Sequence, residues 1–184
     1  YKLEAYKMDG TMLWRHDMGW SIEEGTWYSP VMAYDIDGDG KAEVYCKAGE
    51  GDPRDEKGLV QTGPEWLLKL DGATGKIMAK TDWPSREGFE DYNRYCRNFL
   101  SLAYLNGNAP SILIDRGTYT LIKIWALDKD LKPIWKWASE GEWESYRGQG
   151  GHKIQAADVD GDGRDEVVFG SACLDDDGTP MWTT

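Results

Sequence analysis

The chain has 184 residues, 40% of them apolar and 12% aromatic, enough to build a core at the size of one ordinary domain. Its formal charge of −12 withholds the basic face that phosphate recognition needs, which sets aside nucleic acid and anionic membrane as partners. No apolar stretch approaches the roughly 18 residues of a membrane helix, no signal peptide is visible, and three cysteines (Cys46, Cys96, Cys173) give no disulfide framework. Two of these cysteines lie in apolar, strand-like runs and read as small buried hydrophobes.

In chain order, the first element is a hairpin, Tyr6 to Trp14, in which Asp9-Gly10 stands between apolar runs. Trp27 and Tyr28 follow in a segment outside any repeat. Next comes an acidic loop, Asp35-Ile36-Asp37-Gly38-Asp39-Gly40-Lys41-Ala42-Glu43. Wrapped around a centre, the carboxylates of Asp35, Asp37, Asp39 and Glu43 and the carbonyl of Lys41 form an oxygen cage for a cation of calcium size, which takes six to eight oxygens at about 2.3 to 2.6 Å. Without a counter-ion, so many carboxylates in nine residues repel one another. An EF-hand needs a bidentate Glu at position 12; Cys46 stands there, and the β-rich run from Glu43 to Lys47 predicts a strand.

A second hairpin is predicted over Leu67 to Ile77, and a modest helix over Glu87 to Leu100, where Glu87, Glu90 and Asp91 precede Arg94 and Arg97. A worn copy of the acidic loop runs from Tyr104 to Ile114, with Asn106 and Asn108 in place of two carboxylates. A third hairpin spans Ile124 to Trp135, and Trp143 and Tyr146 fall outside the repeat. His152 ends a glycine-rich run six residues before a second full loop; a metal ligand, a cleft residue and a structural histidine are all compatible with that place. The second loop repeats the first: Asp158, Asp160, Asp162 and Glu166 with the Arg164 carbonyl, Phe169 at position 12, and a strand from Glu166. The last hairpin is Ala172 to Trp182. Trp14, Trp135 and Trp182 recur at one hairpin position, which predicts core, whereas Trp27, Tyr28, Trp143 and Tyr146 break the repeat and are the aromatic candidates for stacking on a ligand.

Asp9, Asp71, Asp128 and Asp177 are spaced by 62, 57 and 49 residues. One loop and one hairpin per period fit a four-stranded blade of a β-propeller, so the expected fold is all-β, with about three to three and a half blades. Propellers close with four to eight blades, and an open segment leaves sheet edges unpaired. The chain also starts at Tyr1 without Met and stops at Thr184 within a predicted strand. The expectation is therefore that residues 1–184 are an incomplete segment of one calcium-binding propeller domain, with the remaining blades supplied by the same protein, other copies or fragments.

The ordered stretches Leu13-Trp14-Arg15, Tyr34 to Val44, Asn93-Arg94 with Arg97 to Leu100, Ala103 to Gly107, Pro110-Ser111-Ile112, Arg116 to Thr120, His152 to Glu166 and Asp175 to Gly178 resemble those of polysaccharide lyase family 11. Its members are secreted bacterial rhamnogalacturonan lyases built on an eight-bladed, calcium-bearing propeller. The chain departs from the family pattern where Trp27 stands in place of a His, Cys96 in place of an Asp, Thr118 in place of a Tyr and Leu121 in place of an Arg, as in a diverged relative.

The resemblance implies a secreted, cell-surface or periplasmic bacterial protein that cleaves rhamnogalacturonan or a related uronate polymer by β-elimination with Ca2+ as its cofactor. Such chemistry removes the weakly acidic C5 proton and expels the C4 oxygen, so it needs a base and positive charge beside the uronate carboxylate. The clustered Arg86, Arg94, Arg97 and Arg116 offer that charge on an acidic chain, although Arg94 and Arg97 also suit surface pairing with Glu87, Glu90 and Asp91. Asn93, Arg94, Arg116, Tyr119, Trp27 and Tyr28 are the expected substrate-binding residues. Asp35, Asp37, Asp39, Lys41, Glu43, His152, Asp158, Asp160, Asp162, Arg164 and Glu166 are the expected metal residues, and no residue is singled out as the base. Two other readings stay open: a non-enzymatic, integrin-like adhesion or carbohydrate-binding propeller, and a quinone-cofactor propeller suggested by Leu70 to Lys76.

Overall fold

The computed structural model describes all residues, 1–184. They form two compact units, Tyr1–Ser85 and Arg86–Thr184. In the first unit, β1 (Lys2–Tyr6) pairs antiparallel with β2 (Met12–Asp17) across a turn closed by Lys7 N–H donating to Thr11 O at 2.8 Å. The strands β3 (Val31–Tyr34), β4 (Glu43–Gly49), β5 (Glu65–Asp71) and β6 (Ile77–Asp82) then form a four-stranded antiparallel sheet in chain order. The central strands β4 and β5 are buried along most of their length, as near-continuous apolar runs predict. The charges they carry are paired inside: Lys47 with Glu65 at 2.6 Å and Lys69 with Glu43 at 3.9 Å.

The second unit opens with a one-turn helix, α1 (Tyr92–Tyr95), whose first turn is capped by the Asp91 side chain accepting from Arg94 N–H at 3.2 Å. The helix expected over Glu87 to Leu100 shrinks to this turn because Asn98 to Ala103 is taken into a sheet. Strands β7 (Asn98–Ala103), β8 (Ser111–Arg116), β9 (Lys123–Leu127) and β10 (Pro133–Ala138) form one four-stranded antiparallel sheet. Strands β11 (Gln155–Ala157), β12 (Glu166–Phe169), β13 (Ala172–Leu174) and β14 (Pro180–Thr183) form another. Between these two sheets lies a core of Phe99, Leu113, Ile124 and Trp137 against Val167, Phe169, Ala172 and Leu174, with the rings of Trp137 and Phe169 5.4 Å apart.

Three four-stranded antiparallel sheets and one two-stranded sheet bear out the expected all-β class, and each acidic loop leads into a strand as predicted. A side-chain lock recurs between successive sheets. Trp14 on β2 donates its indole N–H to Gly72 O at 2.8 Å, and Trp135 on β10 donates to Asp176 O at 2.8 Å. Each ring lies on a glycine of the receiving turn: a Cβ on Gly75 would sit 2.6 Å from the Trp14 ring and one on Gly178 2.8 Å from the Trp135 ring, both at positive φ. Trp182, expected in the core for the same reason, is instead 43% exposed on β14. All three cysteines are free and buried. No helix is long and apolar enough to cross a membrane.

Candidate functional site

The two acidic loops are shaped by their own carboxylates. Asp35 accepts from the N–H groups of Gly38 and Gly40 at 2.8 Å each, and Asp158 accepts from Gly161 at 2.7 Å and Gly163 at 3.1 Å. Lys41 and Arg164 hold equivalent places, their N–H groups donating to Asp39 and Asp162 at 2.8 Å. Oxygens of Asp35, Asp37 and Asp39 lie within 4.8 Å of one another, and so do those of Asp158, Asp160 and Glu166. A set made only of carboxylate oxygens suits a hard cation such as Ca2+.

The two loops use different members of the predicted set. In the first, Glu43 is buried and turned inward, accepting from Ile36 N–H at 3.3 Å and the Tyr45 hydroxyl at 3.4 Å, with Lys69 beyond. In the second, Asp162 is drawn onto the Arg164 guanidinium at 2.7 Å, and Glu166 takes its place in the cluster. Glu166 is fully buried; its Oε2 accepts from Val159 N–H at 2.6 Å, while its Oε1 has no hydrogen-bond partner. Burial, with the nearby Asp160 carboxylate behind it, pushes the Glu166 carboxyl above its ordinary range. A buried glutamate with one unpartnered oxygen, clustered with two other carboxylates, is the arrangement a bound cation would satisfy.

A second cluster forms in the Arg86–Thr184 unit where three loops meet. The Tyr119 hydroxyl and His152 Nε2 are 2.6 Å apart, with the rings edge to face. The guanidinium carbons of Arg94 and Arg97 each lie 5.7 Å from the Tyr119 ring centroid, within cation–π range. Arg97 also donates to Asn93 Oδ1 at 3.2 Å. The loops are fixed by polar contacts: Glu90 accepts from Thr120 Oγ1 and from Arg147, each at 2.7 Å, and Gly148 N–H donates to Thr120 O at 2.8 Å. The Thr120 hydroxyl foremost, with the Arg147 charge behind it, holds the Glu90 carboxyl below its ordinary range. Thr118 Oγ1 donates to Gly151 O at 2.8 Å, and Gly150 passes so close that a Cβ there would lie 2.6 Å from that oxygen. This clamp sets His152 against Tyr119.

The structure thus brings together Asn93, Arg94, Tyr119 and His152, and adds Arg97. Arg116, expected to bind substrate, is only 1% exposed and donates to Tyr95 O at 2.7 Å; it is a buried anchor for α1, and that expectation is corrected. His152 lies with Tyr119 and joins neither carboxylate cluster. Trp27, 41% exposed, and the half-buried Tyr28 lie in a turn of the Tyr1–Ser85 unit held by Tyr28 N–H donating to Gly25 O at 3.1 Å. Trp143 and Tyr146, also candidates for stacking, pack instead on the core around Trp137, and Tyr146 is buried. Sequence reasoning missed the Glu90–Thr120–Arg147 brace and the Thr118 clamp, whose one visible signal was the glycine run before His152. It also missed Lys69, a lone charge in an apolar strand run.

Residues 1–184 match the model of rhamnogalacturonan lyase family 11, C-terminal domain. Rhamnogalacturonan endolyase YesW of Bacillus subtilis (strain 168) is 39% identical over 206 residues, covering 99% of this chain and 33% of the relative. Rhamnogalacturonan exolyase YesX of the same organism is likewise 39% identical, over 99% of this chain and 34% of the relative. The crystal structure of exotype rhamnogalacturonan lyase YesX superposes with a TM-score of 0.93 at 37% identity, again over 99% of this chain and 34% of that one. The chain spans about a third of the length of these relatives. Matched from end to end in sequence and in fold, the chain belongs to rhamnogalacturonan lyase family 11.

Proposed function

We propose that this chain is a propeller segment of a secreted bacterial lyase that binds Ca2+ and cleaves rhamnogalacturonan or a related uronate polymer by β-elimination. The observation that carries the reading is the pair of guanidinium groups of Arg94 and Arg97 around the exposed Tyr119, which also meets His152: positive charge gathered on a chain of net charge −12. A carboxylate polymer approaching an acidic protein needs such a local field. Arg94 and Arg97 would face the uronate carboxylate, with Asn93 and Tyr119 positioning the ring.

Asp35, Asp37 and Asp39 in one loop and Asp158, Asp160 and Glu166 in the other would hold calcium, which when bound neutralises the crowded carboxylates and fixes both turns. Support for a larger ring comes from Trp182, which occupies the hairpin position of Trp14 and Trp135 yet is exposed; the turn of a further sheet, from the rest of the protein or another copy, would receive it.

Incubating the complete protein with rhamnogalacturonan I and following the absorbance of the unsaturated uronate end tests the reading. Product formation supports it; no product from pectic or other uronate polymers removes it. One observation favours the adhesion reading: Leu121, where the family pattern has an Arg, is fully buried, so the site lacks that cation. Polymer binding without product would decide for that alternative.

A further inference from the structure

We infer that Tyr119 is the proton-transfer residue of the elimination, with His152 positioning its hydroxyl and taking its proton; the inference rests on the lyase reading above. Tyr119 is 38% exposed, so its side chain is open to an approaching substrate. Its hydroxyl is hydrogen-bonded to His152 Nε2, 2.6 Å away. With that nitrogen unprotonated, the phenol donates to it and electron density rises on Oη. Arg94 and Arg97, both within 6 Å of the ring, stabilise negative charge as it forms on the phenolate. Glu90, the braced carboxylate of the same loops, is committed to Thr120 and Arg147.

Atoms and charge balance through the step. The Tyr119 proton moves to His152 Nε2, and the phenolate takes the C5 proton of the uronate. The C5–H electron pair becomes the second bond of C4=C5, and the C4–O4 bond breaks. The departing O4 takes the proton now on Tyr119, and His152 returns its own, so enzyme and charge are restored and no co-reactant is consumed. The same two arginines that stabilise the phenolate face the carboxylate whose α-carbon loses the proton, which is where enolate charge develops.

The immobility of the pair is built in. Thr118 grips Gly151 and Gly150 packs on Thr118, so the His152 backbone is held to the loop that carries Tyr119. Two side chains fixed across such a clamp keep their separation while substrate exchanges.

The test is steady-state kinetics of the complete protein on rhamnogalacturonan I, read by unsaturated product, with Tyr119→Phe and His152→Asn. Tyr119→Phe keeps the ring and its cation contacts, so the melting temperature and KM are expected to hold while kcat falls by about 10²- to 10⁴-fold, the usual worth of general acid–base catalysis. His152→Asn is expected to lower kcat as well, by less, with KM held. Unchanged kcat in Tyr119→Phe, or a loss confined to KM, overturns the inference while leaving the lyase reading intact. Should Tyr119→Phe fail to fold, His152→Asn decides: unchanged kcat overturns. An unmodified protein that yields no product at all removes the lyase reading and this step together.

Discussion

The two acidic loops share their nine-residue pattern and differ in what lies across the sheet from their last carboxylate. Two residues past Glu43 stands Tyr45, paired in register with Lys69 on β5; two residues past Glu166 stands Val168, paired with Cys173 on β13. The first loop therefore carries an internal cation and a hydroxyl for its glutamate, and at the matching places across the second sheet stand Val168 and Cys173, which supply neither. Burial, with the Glu166 charge added, pushes the Cys173 thiol up to about 11. Loop sequence sets where carboxylates converge, but strand register one hairpin away sets what faces their last glutamate. The first loop's glutamate has Lys69 inside the sheet, whereas the second loop's cation, Arg164, sits at the rim on Asp162 and leaves Glu166 without a charged partner.

The sharpest way to break this comparison is to remove each glutamate's charge in the presence of a chelator. Glu43→Gln removes the carboxylate paired with Lys69 inside the sheet and is expected to destabilise by about 3–5 kcal/mol, as breaking a buried ion pair does. Glu166→Gln removes an uncompensated carboxylate and is expected to be neutral or stabilising. With calcium added, the gap between the two variants should narrow, because Glu166→Gln then loses a ligand. Denaturant titrations of the two variants, with and without chelator, check this; equal losses in chelator would erase the distinction between the loops.

Next in size is the ion itself. At about 100 times its Kd, calcium should stabilise the folded protein by about 2.7 kcal/mol per independent site, and chelation should lower Tm accordingly. Lys69→Met should increase that dependence by making the first loop resemble the second, which melting curves over a calcium series would show.

Asp115 extends the comparison outside the loops. Like Glu166, it is buried with one orphaned oxygen, but no companion carboxylate faces it in a cluster. Burial raises its carboxyl well above the ordinary range, with the Arg116 charge opposing. The folded state thus holds this proton to higher pH than the unfolded chain. Its stabilising contribution is full below the ordinary carboxylate range and is lost as pH rises through the folded value. Asp115→Asn should flatten that decline in Tm against pH, without altering the calcium response. The smallest expected effect is at Arg164: its guanidinium is about half exposed and pairs with Asp162 at 2.7 Å and with the more buried Asp176 at 2.9 Å, so Arg164→Gln should change stability by about 1 kcal/mol. By releasing Asp162 it should also tighten calcium binding at the second loop, measured by titration calorimetry.

Much of this is legible in the sequence because it follows from local chemistry. Asp-Gly turns between apolar runs announce the hairpins at Asp9, Asp71 and Asp177, and a β-rich run after each acidic loop announces β4 and β12. What stays hidden depends on contacts between distant segments. Arg116 reads like any cleft arginine until its strand is seen to be buried along its whole length. Trp182 carries the same local pattern as Trp14 and Trp135, but burial requires a receiving turn, which sequence position alone does not supply. The helix from Glu87 has suitable charges, yet its second half satisfies more hydrogen bonds and buries more apolar surface as β7. The pairing of Tyr119 with His152 joins residues 33 apart and depends on a clamp whose only trace is a run of glycines.

Hydrogen–deuterium exchange of the complete protein, calcium-loaded against calcium-stripped, tests the central claim most directly. Removing the ion should deprotect the backbone of residues 158–169 strongly and that of residues 35–46 only modestly, because Lys69 still balances Glu43 in the first loop. Equal deprotection of the two segments, or no change in either, would contradict the account.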